Sequence, residues 1–244
     1  MRQAILIGVL GVALPLGWFF MISMPGESYR GPLPPATDEL HALEGELRSH
    51  VDMLAGGIGE RNVFHYTQLV QAGEYIEKIL SEAGYEVARQ GYEVSEQVCE
   101  NIEVEVRGSE RPDEIVLIGA HYDSVKGSPG ANDNATGVAA TLALARAFAQ
   151  NPTPRTLRFV AFANEEPPFF QTQHMGSRVY AKRSRQRAEN IILMLSLETI
   201  GYYSDEQGSQ SYVFPLHFFY PSTGNFIAFV SNGENGPLVR HLIK

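Results

Sequence analysis

Apolar positions recur along this chain with two periods that alternate. From Asp38 to Ala55 they fall at Leu40, Leu43, Leu47, Val51 and Leu54, the spacing of one helix face, and Gly56-Gly57 closes the run. Asp38 is the expected cap. A second helix is predicted from about Thr67 to Ala83, with Leu69, Val70, Ile76, Ile79 and Leu80 on one side and Gly84 as its stop. The period then shortens. Glu86–Val94 and Asn101–Arg107 read as strands, the second by the alternation of Ile102, Val104 and Val106. Ile115–His121 is the most apolar segment, and a continuous run bounded by charge predicts a strand buried on both faces. Thr136–Ala149 follows as a helix with almost no polar face, then a strand at Thr156–Ala163, a helix from about Gly176 to Ala188 and a strand at Ile191–Leu197. This alternation predicts an α/β fold with a helix-covered, mostly parallel central sheet. Beyond it, Ser211–Phe214 and Phe226–Val230 read as short strands, and Leu238–Ile243 as the start of a helix.

The amino-terminal pattern is different. Ala4–Met24 is apolar throughout, long enough to span a hydrocarbon core of about 30 Å as a helix. It offers no small-x-small cleavage site, which favours an uncleaved transmembrane anchor over a signal peptide. Arg2 then places the amino terminus in the cytoplasm and the rest of the chain outside, periplasmic or extracellular; cleavage would make it a secreted protein. Residues 25–37 carry Pro25, Gly26, Gly31, Pro32, Pro34 and Pro35, a stiff tether. The expected organisation is an anchor over 1–24, a tether over 25–37 and one globular domain over 38–244.

Charge and cysteine usage narrow the chemistry. A formal net charge of −9 without a phosphate-neutralising basic block excludes a nucleic-acid partner. The run Lys182–Arg187 reads as a solvated helix face. Cys99 is the only cysteine, so neither an intrachain disulfide nor a thiolate metal cluster can form, and any metal ligands are His, Asp or Glu.

Such residues stand at the ends of the apolar runs: His121-Tyr122-Asp123, Asp133, Glu165-Glu166 and Glu198. In open α/β sheets ligands collect beyond the carboxyl ends of strands, so separate strands can deliver these groups to one rim. An imidazole and carboxylate set without sulfur suits Zn²⁺, or Mn²⁺ or Co²⁺. Of the adjacent glutamates, one can bind metal while the other holds a proton. The turn Gly127–Asn132 lacks both the Walker and the G-x-G-x-x-G pattern, and no G-x-S-x-G elbow is present.

Three stretches together resemble the co-catalytic zinc peptidases of the M28 type, which include bacterial aminopeptidases and carboxypeptidase-like enzymes: Gly119–Ser124, Pro129–Gly137, and Phe162–Glu166 followed by Met175-Gly176-Ser177. The resemblance spans about Gly59 to Gly201. It implies a two-zinc site acting on peptide substrates. His121 would ligate one zinc with Asp123 orienting it, Asp133 would bridge both metals, Glu165 would be the general base and Glu166 a ligand of the second zinc. Glu198 falls where the family usually has an aspartate ligand. The family's last ligand is a histidine in a Ser-Asp-His segment, which this chain does not contain; His217 and His241 lack that context, and the chain is expected to continue past Lys244. Pro167–His174 is longer than the family's usual link and is expected at the substrate rim, with His174 as a candidate contact. His41, His50 and His65 read as structural. Two competing readings remain: a single-zinc enzyme that cyclises amino-terminal glutamine, and an inactive membrane-anchored binding ectodomain.

Overall fold

The computed structural model describes residues 11, 31–214, 216–218 and 220–242. The expected anchor over Ala4–Met24 therefore lies outside the described residues, Gly11 apart, and among the described residues no helix is long and apolar enough to cross a membrane. The chain divides into two compact units, one of residues 36–202 and one that includes 203–244.

In the larger unit, α1 (Asp38–Val51) begins one residue earlier in effect than its pattern implies. Thr37 is the cap, its hydroxyl accepting the Leu40 amide at 3.2 Å, and Asp38 instead opens the first turn, where its charge favours the helix dipole. The helix widens into a π-helical turn, Asp52–Ile58, that closes at Gly59 with φ +83°. Asn62 then accepts the amides of Phe64 and His65 and starts a short turn into α2 (Tyr66–Glu82). Gly84, at φ +96°, ends α2 with the Tyr85 amide donating back to Leu80.

Five strands follow: β1 (Ala88–Val94), β2 (Gln97–Val106), β3 (Arg111–His121), β4 (Arg155–Phe162) and β5 (Asn190–Ser196), in the order β1-β2-β4-β3-β5. The β3–β4 and β3–β5 pairs are parallel, whereas β1–β2 and β2–β4 are antiparallel, so the sheet is mixed rather than mostly parallel. The cause is local. Ser95 and Glu96, at φ +50° and +65°, form a two-residue hairpin turn whose twist matches the flanking strands. Neither residue is the Gly or Asn that usually signals such a turn, so the pattern hid that β2 starts at Gln97.

Helices cover both faces. Leu69, Ile76 and Leu80 of α2 and Val138 and Leu142 of α3 (Thr136–Phe148) pack against Ile102, Ile118 and Phe159. On the other face Tyr180 of α4 (Gly176–Gln186) packs with Leu117, Val160 and Phe162. Consecutive residues of β3 thus enter opposite cores, as its unbroken apolar run requires. Cys99 is buried.

In the second unit, α5 (Gly236–Leu242) starts two residues before its expected place, behind a short turn capped by Asn232. The strands expected at Ser211–Phe214 and Phe226–Val230 do not form: neither segment enters a sheet ladder. Alternation over four or five residues makes a strand only where a neighbour supplies hydrogen bonds.

Candidate metal centre

β3, β4 and β5 lie side by side and parallel, so their carboxyl ends share one rim. His121 is the last residue of β3, buried and level with Phe162 of β4. β4 leaves through Asn164, whose φ of +58° is a conformation asparagine tolerates better than most residues. That turn aims two successive amides, Glu165 and Glu166, at the two oxygens of Asp123, at 3.0 and 3.1 Å. Beyond β5 the Leu197 amide still donates to Gly119, at 2.8 Å, which brings Glu198 onto the same rim. Asp133 arrives on the turn Ala131–Ala135 ahead of α3. Gly130 makes that turn possible: its φ is +59°, and a β-carbon there would stand 2.5 Å from the Asp133 carbonyl oxygen.

The structure gathers Asp123, Asp133, Glu165, Glu166 and Glu198 around the His121 imidazole. His121 Nε2 lies 3.0 Å from Asp133 Oδ1, 3.4 Å from Glu198 Oε1 and 3.8 Å from Glu165 Oε2. On the opposite side of the ring, Nδ1 lies 3.4 Å from Asp123 Oδ1. Two three-residue groups have ligand atoms mutually within 4.8 Å: His121 with Asp133 and Glu198, and His121 with Glu165 and Glu166. His174 is not brought in by any described hydrogen bond; its ring meets only Gln173, at 3.5 Å.

The electrostatics call for a cation. Burial would depress the His121 imidazole, but the carboxylates of Asp123, Asp133 and Glu198 around it override that and push the pKa up to about 12. Burial raises Glu165, and raises Glu166, with the Asp133 charge adding to it, to about 7. Asp133 is lowered by its bond to His121. Glu166 Oε1 and His121 Nδ1 are buried without a hydrogen-bond partner. Several carboxylates on one protonated imidazole, with a buried carboxylate oxygen left over, form a set that a divalent cation satisfies better than protons do. Nitrogen and oxygen donors without sulfur fit a first-row metal.

Two residues that the sequence did not single out hold this arrangement. Asn134 donates to Leu197 O at 2.8 Å and Glu198 Oε2 at 3.1 Å, and accepts the Gly137 amide at 3.0 Å. Arg61, fully buried, bonds the loops around the site. Asn134 sits within the recognisable stretch Pro129–Gly137, where its position was the available signal. Arg61 carried none, since an arginine between two helices reads as a surface residue.

Comparison with known proteins adds the following. Residues 101–216 match peptidase family M28. The uncharacterized protein YfbL of Escherichia coli (strain K12) is 35% identical over 211 residues, which cover 83% of this chain and 64% of that protein. Aminopeptidase YwaD of Bacillus subtilis is 36% identical over 100 residues, 41% of this chain and 21% of that protein. Among solved structures, a zinc aminopeptidase from Bacillus subtilis superposes with a TM-score of 0.57 at 15% identity, covering 69% of this chain and 74% of that one. A Bacteroides thetaiotaomicron glutaminyl cyclase bound to N-acetylhistamine gives 0.54 at 20% identity, over 71% and 65%. At these identities the structural likenesses speak to the fold alone. The chain spans less than two thirds of the length of its sequence relatives, 64% of YfbL and 21% of YwaD.

Proposed function

Because residues 101–216 match peptidase family M28, we propose that the chain is a zinc-dependent hydrolase of peptide bonds, acting at the amino terminus of its substrate. The observation that carries this reading is the convergence of Asp133, Glu165 and Glu198 on His121 Nε2 with Asp123 behind the ring at Nδ1. A carboxylate on the far nitrogen of a histidine fixes its tautomer and leaves the near nitrogen free to ligate.

His121, Asp133 and Glu198 would hold one zinc, and Asp133 with Glu166 a second. Zinc bound there supplies Lewis-acid polarisation of the scissile carbonyl and makes water nucleophilic near neutral pH. Glu165 acts beside these ligands rather than among them: its carboxylate takes the proton of the attacking water and returns it to the nitrogen of the leaving amine. Partial burial raises its affinity for that proton toward the working range. Asp123 is a positioning residue, since its oxygens are engaged by the Glu165 and Glu166 amides and by proximity to His121. The domain would stand outside the cytoplasm, held to the membrane by Ala4–Met24.

The test is hydrolysis of aminoacyl arylamides by the zinc-loaded protein and by Glu165→Gln. The variant is expected to keep its zinc and lose about 10²–10⁴-fold in turnover. Unchanged turnover would remove Glu165 from the mechanism. Ring closure of glutamine-led peptides without arylamide hydrolysis would favour acyl transfer over hydrolysis, and zinc binding with neither activity would favour a binding ectodomain.

A further inference from the structure

Arg61 is the largest fully buried side chain of the described residues and meets no carboxylate directly. Its guanidinium spends its donors on backbone carbonyls from three separate segments. Nε donates to Tyr122 O at 2.6 Å, Nη2 to Gly130 O at 2.9 Å, and Nη1 to Leu54 O and Gly59 O, both at 3.2 Å, and to Pro129 O. Its own backbone pairs reciprocally with Ser124, N to Oγ at 3.1 Å and O to the Ser124 amide at 2.9 Å.

The placement of those carbonyls matters. Tyr122 lies between His121 and Asp123, so the Nε bond fixes the backbone that carries the imidazole and its rear carboxylate. Gly130 O also accepts the Ala135 amide, at 3.1 Å, and so belongs to the turn that presents Asp133. One rigid fork therefore sets the distance between the end of β3 and the Asp133 turn, and with it the 3.0 Å approach of Asp133 to His121. The cation also sits within range of the negative cluster: burial lowers the guanidinium pKa, to about 10, while the Asp123 and Asp133 charges hold it up, so it stays charged at neutral pH.

We infer that Arg61 is a positioning residue of the metal centre, a buried guanidinium whose bonds to the carbonyls of Tyr122 and Gly130 pre-set the separation of His121 and Asp133 for metal binding. The inference rests on the metal-centre reading above. Lysine cannot replace it, because an ammonium has three donors on a flexible stem where the guanidinium has five in a planar fork. Retaining the charge while losing the fork separates geometry from electrostatics.

The experiment measures zinc affinity by competition with a chromophoric chelator, together with the visible spectrum of the Co²⁺-substituted protein, for wild type, Arg61→Lys and Arg158→Lys. Arg158 is a half-buried arginine on β4 bound to Glu105, Glu189 and Tyr180, away from the candidate ligands, and serves as the control for general destabilisation. Arg61→Lys is expected to weaken zinc by about 10–100-fold, the usual effect of losing a group that orients metal ligands, and to change the Co²⁺ spectrum. Arg158→Lys is expected to change neither. Wild-type affinity in Arg61→Lys, or an equal loss in both variants, overturns the inference and leaves the metal centre standing. Absence of zinc binding by the wild type overturns the metal centre and the inference with it. Should Arg61→Lys fail to fold, Ser124→Ala loosens the same connection with the charge intact; it is expected to weaken zinc in the same direction, and unchanged affinity there overturns the inference.

Discussion

The side-chain amide of Asn134 donates to Glu198 Oε2 at 3.1 Å and so ties the end of β5 to the turn before α3. Its nitrogen also reaches Leu197 O, and its oxygen accepts the Gly137 and Thr199 amides, so the backbone on both sides of Glu198 is pinned. Where the resemblance led to the expectation of an aspartate, the glutamate's extra length is therefore built into a fixed frame. Glu198→Asp would withdraw the carboxylate by about 1.5 Å, one carbon–carbon bond, from a backbone that cannot follow. The expected outcome is zinc affinity lower by about tenfold in chelator competition. Equal affinity would mean that residues 197–199 yield.

Asp123→Asn tests the rear carboxylate. An asparagine amide offers one acceptor oxygen, so it cannot serve the Glu165 and Glu166 amides together and face His121 Nδ1 as well. Zinc affinity should fall by about 10–100-fold. A buried amide left without an acceptor should also cost about 1–3 kcal/mol in denaturant unfolding of the metal-free protein. Loss of turnover with zinc affinity and stability unchanged would contradict the positioning role.

These predictions also mark what the sequence could reveal. The end of a continuous apolar run fixed where β3 stops, and a charged residue there has no core to enter, so His121, Glu165 and Glu198 were legible as rim residues. Helix α3 was legible because an apolar surface all round has to be buried. The β1–β2 hairpin was not, since Ser95 and Glu96 take left-handed conformations without glycine. Nor was the failure of Phe226–Val230 to form a strand, because pairing depends on a partner distant in sequence. Arg61 was hidden for a related reason. Its partners are carbonyls, which every residue has, so no pattern of side chains announces them.

Asn101→Ala addresses the loop that carries the two glutamates. Asn101 is buried on β2; its oxygen accepts the Ala163 amide at 3.1 Å, and its nitrogen donates to Gly176 O at 2.9 Å and to Gln90 at 3.0 Å. Ala163 and Gly176 are the two ends of the loop 164–175, so one side chain closes it. Alanine should cost about 1–3 kcal/mol for each buried group left unpaired. Proteolytic nicking within 164–175 should accelerate correspondingly. A stability loss without faster nicking in that loop would show that other contacts hold it.

The last prediction concerns protons. In the metal-free protein Glu166 is raised from its ordinary 4.5 to about 7, and His121 from 6.5 to about 12. Both groups therefore bind protons more tightly folded than unfolded. Where the folded state holds more protons, stability falls as pH rises. For Glu166 that window runs from its ordinary value up to about 7, and for His121 from its ordinary value up to about 12. Metal-free protein should accordingly melt at a lower temperature at pH 8 than at pH 5. Zinc reverses the sign, because ligands bind it deprotonated and the bound metal stabilises the folded state in proportion to the logarithm of its affinity. The interval between zinc-loaded and metal-free melting temperatures should thus widen from pH 5 to pH 8. Calorimetric titration at pH 7 in buffers of different ionisation enthalpy should show at least one proton released per chain on zinc binding, the His121 proton. An interval that narrows as pH rises, or a buffer-independent enthalpy, would place the metal on groups other than His121 and Glu166.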